Sequence, residues 1–265
     1  MPKILGDLRV LARSTFLLSM TPPLLALLEA ERALGRTAPG DVVHAWTRRW
    51  GLIGAWLYGL RLTARGPFVG EGRVYPGRDA AGRGRVFVMN HRSMMDVFVA
   101  LGSVTADFVA RADIQAWPVV GFAARRVQTL FVDRESRSSG AAVVRSMAAA
   151  LTAGRPVLVF PEGTTFEGDE VRPFRSGAFR AAIAAGAEIV PLGLAYGERE
   201  DEYGDETFSR HYRRIAAKPR TRVAVAAGEV MATAGAEPGP LREAVRQRVQ
   251  ALVSDARELL AVSPR

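Results

Sequence analysis

Of the three histidines in the chain, one stands where it can do chemistry. His91 lies in Asn90-His91-Arg92-Ser93-Met94-Met95-Asp96, directly behind the apolar run Arg85–Met89. A histidine leaving a strand end faces a cleft. Asp96, about a turn and a half further on, can fold back onto the imidazole if the residues between them turn. A carboxylate on one ring nitrogen fixes the tautomer and stabilises the imidazolium, so the other nitrogen can accept a proton from a hydroxyl. A purely structural histidine at a helix N-terminus has the same local sequence. His44 falls in an apolar helical segment and His211 in a polar stretch.

Three further features leave strand ends. Phe160-Pro161-Glu162-Gly163-Thr164-Thr165 follows the apolar run Pro156–Phe160. Pro161 and Gly163 predict a tight exit that presents the Glu162 carboxylate, although an ordinary strand-ending turn reads the same. Phe131-Val132-Asp133-Arg134 places an arginine where it can grip a phosphate, or pair with Asp133 or Glu135 on the surface. Ile189-Val190-Pro191-Leu192 is a strand interrupted by proline, which alone predicts an edge or a bulge.

These residues need a scaffold, and the pattern from Gly66 onward supplies one. Strands are predicted at Arg85–Met89, Asp107–Ala110, Thr129–Val132, Pro156–Phe160, Glu188–Leu194 and Thr221–Val230. Helices are predicted at Met94–Leu101, Trp117–Arg126, Ser138–Ala153, Ser176–Ala185 and Pro240–Val262. Alternation of short apolar runs with amphipathic helices predicts an α/β domain over residues 66–265, a mixed central sheet flanked by helices. The polar residues Glu198–Asp205 and Arg210–Arg214 read as an excursion or flexible loop.

Residues 1–65 differ. Leu8–Leu34 and Val42–Leu62 read as two apolar helices joined by a turn-rich stretch, dotted with arginines and carrying Trp46, Trp50 and Trp56. That composition suits the bilayer interface, or a helical pair packed on the main domain. The charge-free stretch Ser14–Leu28 makes about 22 Å of helix, short of the roughly 30 Å hydrocarbon core, and Pro22-Pro23 interrupts it. The expectation is a membrane-associated two-helix element that does not span, and no secretory signal is seen.

Composition narrows the function. The 265 residues carry a net charge of +9, with 48% hydrophobic residues and no cysteine. The absence of cysteine removes thiolate nucleophiles, disulfides and cysteine-ligated metal, and the scattered histidines have no metal-ligand spacing. No metal or cofactor is expected. Lys3 and Lys218 are the only lysines, and the arginine-rich excess predicts an anionic partner. No nucleic-acid motif or basic recognition helix is present, which leaves a membrane surface rather than nucleic acid.

Asn90-His91 with Asp96, and Phe160-Pro161-Glu162-Gly163-Thr164, together with Arg134 and Pro191 in this order, resemble the glycerolipid acyltransferase family. Its best-known members are the lysophosphatidic acid acyltransferases. The match runs from roughly Arg85 to Tyr196. It implies that His91 is the general base and Asp96 its partner. It implies that Arg134 and Glu162-Gly163-Thr164 contact the acceptor's head group, and that Pro191 shapes the acyl-chain or donor site. It also implies an N-terminal two-helix element seated in one leaflet, and so a peripheral or monotopic enzyme on the cytoplasmic face of the cell membrane. The implied reaction takes an acyl group from acyl-coenzyme A or acyl carrier protein to a lysolipid, foremost 1-acyl-glycerol-3-phosphate. The family commonly has an arginine, assigned to phosphate, after Glu-Gly-Thr; here Thr165 and Phe166 follow, and Arg172 and Arg175 are the nearby arginines. Some relatives that acylate lyso-ornithine lipids or lysophosphocholines also lack that arginine. Another lysolipid as acceptor therefore stays open, as does hydrolysis of a thioester or ester by the same pair.

Overall fold

Strands β2 (Val86–Met89), β5 (Val157–Val159) and β6 (Ile189–Tyr196) are buried along their whole length. Continuous apolar runs are what parallel strands covered on both faces require. The computed structural model describes residues 2–35, 37–70, 73–132 and 137–262. With β1 (Leu60–Arg65), β3 (Asp107–Arg111), β4 (Leu130–Val132) and β7 (Thr221–Ala227), the strands form one seven-stranded sheet in the order β1-β7-β6-β2-β5-β3-β4. β2 to β6 run parallel, β7 is antiparallel to β6, and β1 is parallel to β7.

The strand pleat divides the core in two. Val86, Val88, Val157, Val159 and Ile189 face a layer built from α5 (Arg137–Thr152), α6 (Gly177–Ala185) and α8 (Pro238–Val262). Phe87, Met89, Leu158, Val190 and Leu192 face the other side. There they meet residues of α2 (Pro39–Leu57), α3 (Asp96–Ser103) and α7 (Phe208–Ala217), with α1 (Pro2–Leu34) packed outside. The remaining helix, α4 (Val120–Arg126), follows a 3-10 turn at Ala112–Ala116.

Four sequence expectations change. The helix read over Val42–Leu62 ends at Leu57, and Leu60–Arg65 is an edge strand hydrogen-bonded in register to β7. Gly59, at φ 68°, makes the reversal between them. The polar stretch around residue 210 is not a loop: it contains α7, whose His211, Ile215 and Ala216 are buried. Pro22-Pro23 does not interrupt α1, which runs on as one 33-residue helix about 50 Å long. By length and composition alone α1 is sufficient to cross a membrane. Finally, of the edge and the bulge expected at Pro191 the edge gives way: the residue sits in the central strand β6, where the pairing with β7 slips by one residue, from Leu192 opposite Ala227 to Ile189 opposite Met231. Its carbonyl takes the Gly228 N–H at 2.9 Å, so its missing donor faces the same neighbour, just past the end of β7 where the ladder is already interrupted.

The N-terminal helices are tied to the sheet by specific contacts. α2 approaches α3 so closely that a Cβ on Gly54 would lie 2.3 Å from the Phe98 ring. His44 of α2 bonds Asp107 of β3 at 2.9 Å, and Arg155 holds the other Asp107 oxygen. α1 runs antiparallel along α7: Arg13 donates to the carbonyls of Ala216 and Lys218, and Ser14 bonds the Tyr212 hydroxyl at 2.5 Å.

Candidate active site

The loops after β2, β5 and β6 leave the same edge of the parallel sheet, the edge where open α/β sheets hold their ligands. The turn after β2 brings His91 and Asp96 together: Nδ1 of His91 lies 2.7 Å from Oδ2 of Asp96. The same oxygen accepts the backbone N–H groups of Arg92 (2.6 Å) and Ser93 (3.0 Å). The other oxygen accepts the Tyr196 hydroxyl at 2.7 Å. Tyr196 ends β6, and burial together with the adjacent Asp96 charge pushes its hydroxyl well above the usual phenol range. It therefore stays a neutral donor. Four donors converge on one carboxylate at the first turn of α3, where the helix dipole also favours negative charge. Because a carboxylate only accepts, Nδ1 carries the proton and Nε2 is the free lone pair. The His91 ring stacks on Phe160, with centroids 4.3 Å apart, and is 23% exposed where Asp96 is fully buried. A fixed imidazole with its basic nitrogen unengaged can take a proton from a substrate at the sheet edge.

Glu162 is held differently from what its Pro-Gly frame predicts. Its carboxylate turns inward and is almost wholly buried against Arg92, at 2.9 and 3.1 Å. It also accepts the N–H of His91 (2.7 Å) and of Arg172 (2.9 Å). Arg92 spends its remaining donors on the carbonyls of His91, Gly168 and Glu170. This pair clamps the His91 turn to the segment after β5. Gly163 turns at φ 87°, and a Cβ there would fall 2.4 Å from Nε of Arg175. Thr164 and Arg175 are exposed beyond it, and Arg172 lies over the Phe166 ring. Arg134 lies outside the described residues. Pro191 pairs in register with Val88, three residues before His91.

Behind the turn is a second histidine that the sequence pattern did not single out. His211 of α7 is buried, with Nε2 2.9 Å from the Ser93 hydroxyl and Nδ1 3.2 Å from Glu206. Tyr203 stacks on its ring at 4.6 Å. Burial, with the Arg214 charge beside it, holds the imidazole below its ordinary value. Burial works to raise the Glu206 carboxyl, but its bond and ion pair to Arg214 outweigh this and hold it low. A neutral ring that gives Nδ1–H to Glu206 keeps Nε2 as acceptor for the Ser93 hydroxyl. Ser93 is thereby buried and engaged, which does not suit an acyl-carrying nucleophile. A Thr207 cap and the His211, Ile215, Ala216 stripe were the available signals for this helix.

The sequence model of the family described as Acyltransferase matches residues 73–195, a span holding both His91 and Glu162. The chain is 30% identical over 245 residues to the lyso-ornithine lipid O-acyltransferase of Pseudomonas aeruginosa, covering 84% of this chain and 92% of the other. It is 33% identical over 129 residues to the 1-acyl-sn-glycerol-3-phosphate acyltransferase of Neisseria gonorrhoeae, covering 49% of each. Among solved structures, the 1-acyl-sn-glycerophosphate acyltransferase PlsC of Thermotoga maritima shares the fold at a TM-score of 0.69, with 19% identity and 100% of both chains covered. The match along nearly the whole of a relative, and the fold around one histidine turn, lead to one conclusion: this chain is an acyltransferase, a member of the family that holds the lyso-ornithine lipid and 1-acyl-sn-glycerol-3-phosphate acyltransferases.

Proposed function

We propose that the enzyme moves a fatty acyl group from a thioester, on coenzyme A or acyl carrier protein, to the free hydroxyl of a lysolipid at a membrane surface. The observation that carries this is the His91–Asp96 contact at 2.7 Å, with the histidine ring open and the carboxylate buried. Nε2 of His91 removes the hydroxyl proton as the oxygen attacks the thioester carbonyl. The tetrahedral adduct collapses, the C–S bond breaks, and the imidazolium returns the proton to the departing thiolate. Asp96 holds the tautomer and balances the transient positive charge. Such a base is worth about 10²–10⁴-fold in rate.

In this reading Glu162 and Arg92 position the turn. The acceptor head group meets the exposed Thr164 and Arg175 at the turn of the buried Gly163, with Arg134 assigned to the same task. The arginines near Gly163 suit the phosphate of 1-acyl-glycerol-3-phosphate. A second acceptor, a lyso-ornithine lipid, is favoured by Thr165 in place of the phosphate-assigned arginine and by the extent of the match to the Pseudomonas enzyme. We further propose that α1 and α2 lie on the cytoplasmic leaflet. Ile4, Leu5, Leu8 and Leu11 of α1 are exposed while its other side packs on α7.

The test is labelled acyl-coenzyme A with purified enzyme in detergent and a panel of 1-acyl-glycerol-3-phosphate, lysophosphatidylcholine, lyso-ornithine lipid and no acceptor. Acceptor-dependent transfer that His91→Ala abolishes is the expected result. Thiol release without acceptor would make the protein a hydrolase.

A further inference from the structure

Trp117, Val120, Phe122 and Phe208 are all exposed. The Trp117 and Phe208 rings meet edge to face at 5.1 Å, joining the segment before α4 to the start of α7. Arg126 lies over the Phe122 ring and pairs with Glu29 of α1 at 3.2 Å. Val127 packs on the Leu25–Leu28 side of α1. Arg9 and Ser14 of α1 bond Ala217 and Tyr212 of α7, so the two helices run antiparallel in step. That step carries Phe208 to about the level of Leu18, and Arg126 is fixed at Glu29. The aromatic cluster therefore lies alongside α1 between Leu18 and Leu27, both exposed.

The cluster also borders the active site. It follows β3, two strands from β2 and leaving the same sheet edge as His91. Phe208 lies one helical turn from His211, which holds Ser93 of the catalytic turn.

We propose that Trp117, Val120, Phe122 and Phe208 form a second bilayer contact, an aromatic lip of the α/β domain seated in the same leaflet as α1. The proposal rests on the leaflet placement of α1 given above. Tryptophan and phenylalanine flanked by arginine are the residues that settle at the boundary of head groups and acyl chains. The patch is flanked by Arg125 and Arg126, which suit an anionic leaflet. The lip puts the mouth of the site at the depth from which a lysolipid hydroxyl must be drawn.

The chain has no cysteine, so one introduced thiol reports one position. Full-length Phe122→Cys, Leu11→Cys and Val230→Cys are each labelled with a nitrobenzoxadiazole dye. They are mixed with phosphatidylcholine–phosphatidylglycerol vesicles containing brominated acyl chains. Quenching at positions 11 and 122 but not 230 is expected. Val120→Ala with Phe122→Ala should weaken vesicle partition roughly tenfold. Quenching at 11 without quenching at 122 overturns the lip and leaves the anchor standing. Absence of quenching at both overturns the lip and the leaflet placement. A dye at 122 that responds to protein concentration without vesicles assigns the patch to a second copy, and overturns the bilayer contact.

Discussion

Glu162 separates two accounts of the site, because substrate contact and internal clamping respond differently to Glu162→Gln. The carboxylate accepts from Arg92 and from the N–H groups of His91 and Arg172, with both side chains of the ion pair almost fully buried. The glutamine keeps the shape, removes the charge, and turns one acceptor into a donor facing N–H groups. Neutralising one partner of a buried pair costs about 3–5 kcal/mol. Against a total stability of about 5–15 kcal/mol this is large, and in a chain of this size it lowers Tm on the order of 10 °C. His91 also loses the bond that fixes its own backbone. A displacement near 1 Å of a reacting group costs on the order of 10²-fold in rate, so kcat falls by about that factor while acceptor KM stays level. Thermal unfolding in detergent and acceptor-saturation kinetics measure both. An unchanged Tm with KM raised for the acceptor alone would refute the clamp and return Glu162 to the substrate.

Other substitutions reach other parts of the argument. His91→Ala should lower the rate by about 10²–10⁴-fold with vesicle binding intact, and a wild-type rate would end the base assignment. His211 is held below 6.5, so just below pH 6.5 the folded protein binds fewer protons than the unfolded chain. Its contribution to stability is thus present above the unfolded pKa and is lost as pH falls through the folded one. Tm measured from about pH 8 to 5 should fall less steeply in His211→Gln than in the parent; parallel slopes contradict this. Gly54→Ala puts a methyl 2.3 Å from the Phe98 ring and should cost about 1–3 kcal/mol by forcing α2 from α3. An unshifted melting curve would show that the helices can part without penalty.

The sheet was legible in the sequence wherever burial on both faces forces an unbroken apolar run, as in Val86–Met89 and Ile189–Tyr196. β1 escaped because only Leu60 of Leu60–Arg65 is buried and the strand follows an apolar helix, with only Gly59 to mark the break. α7 escaped because it buries a narrow stripe and is otherwise charged. At the site, the His91–Asp96 contact is local and its spacing revealed it. The inward turn of Glu162 was invisible because Arg92 lies seventy residues away in sequence, and nothing in Pro161 or Gly163 says which way the carboxylate points. The Ser93–His211 contact is likewise a product of tertiary packing. Pro191 left edge and bulge open in the sequence because either one relieves a strand proline of its missing ladder bond, and only the pairing with the neighbouring strand decides for the bulge.

The pairing of β1 with β7 also sets an order of assembly. β1 bonds β7 alone, and Leu60 meets Thr221 near the far end of the chain. At about 5–20 residues per second of synthesis, β1 waits on the order of ten seconds for its partner to emerge. α1 and α2 leave the ribosome earlier still, as do the faces that will rest on α7 and α3. Local helix forms within microseconds, but closure of the sheet's far edge is a late, long-range event. During that interval the N-terminal helices carry apolar surface with no protein to cover it.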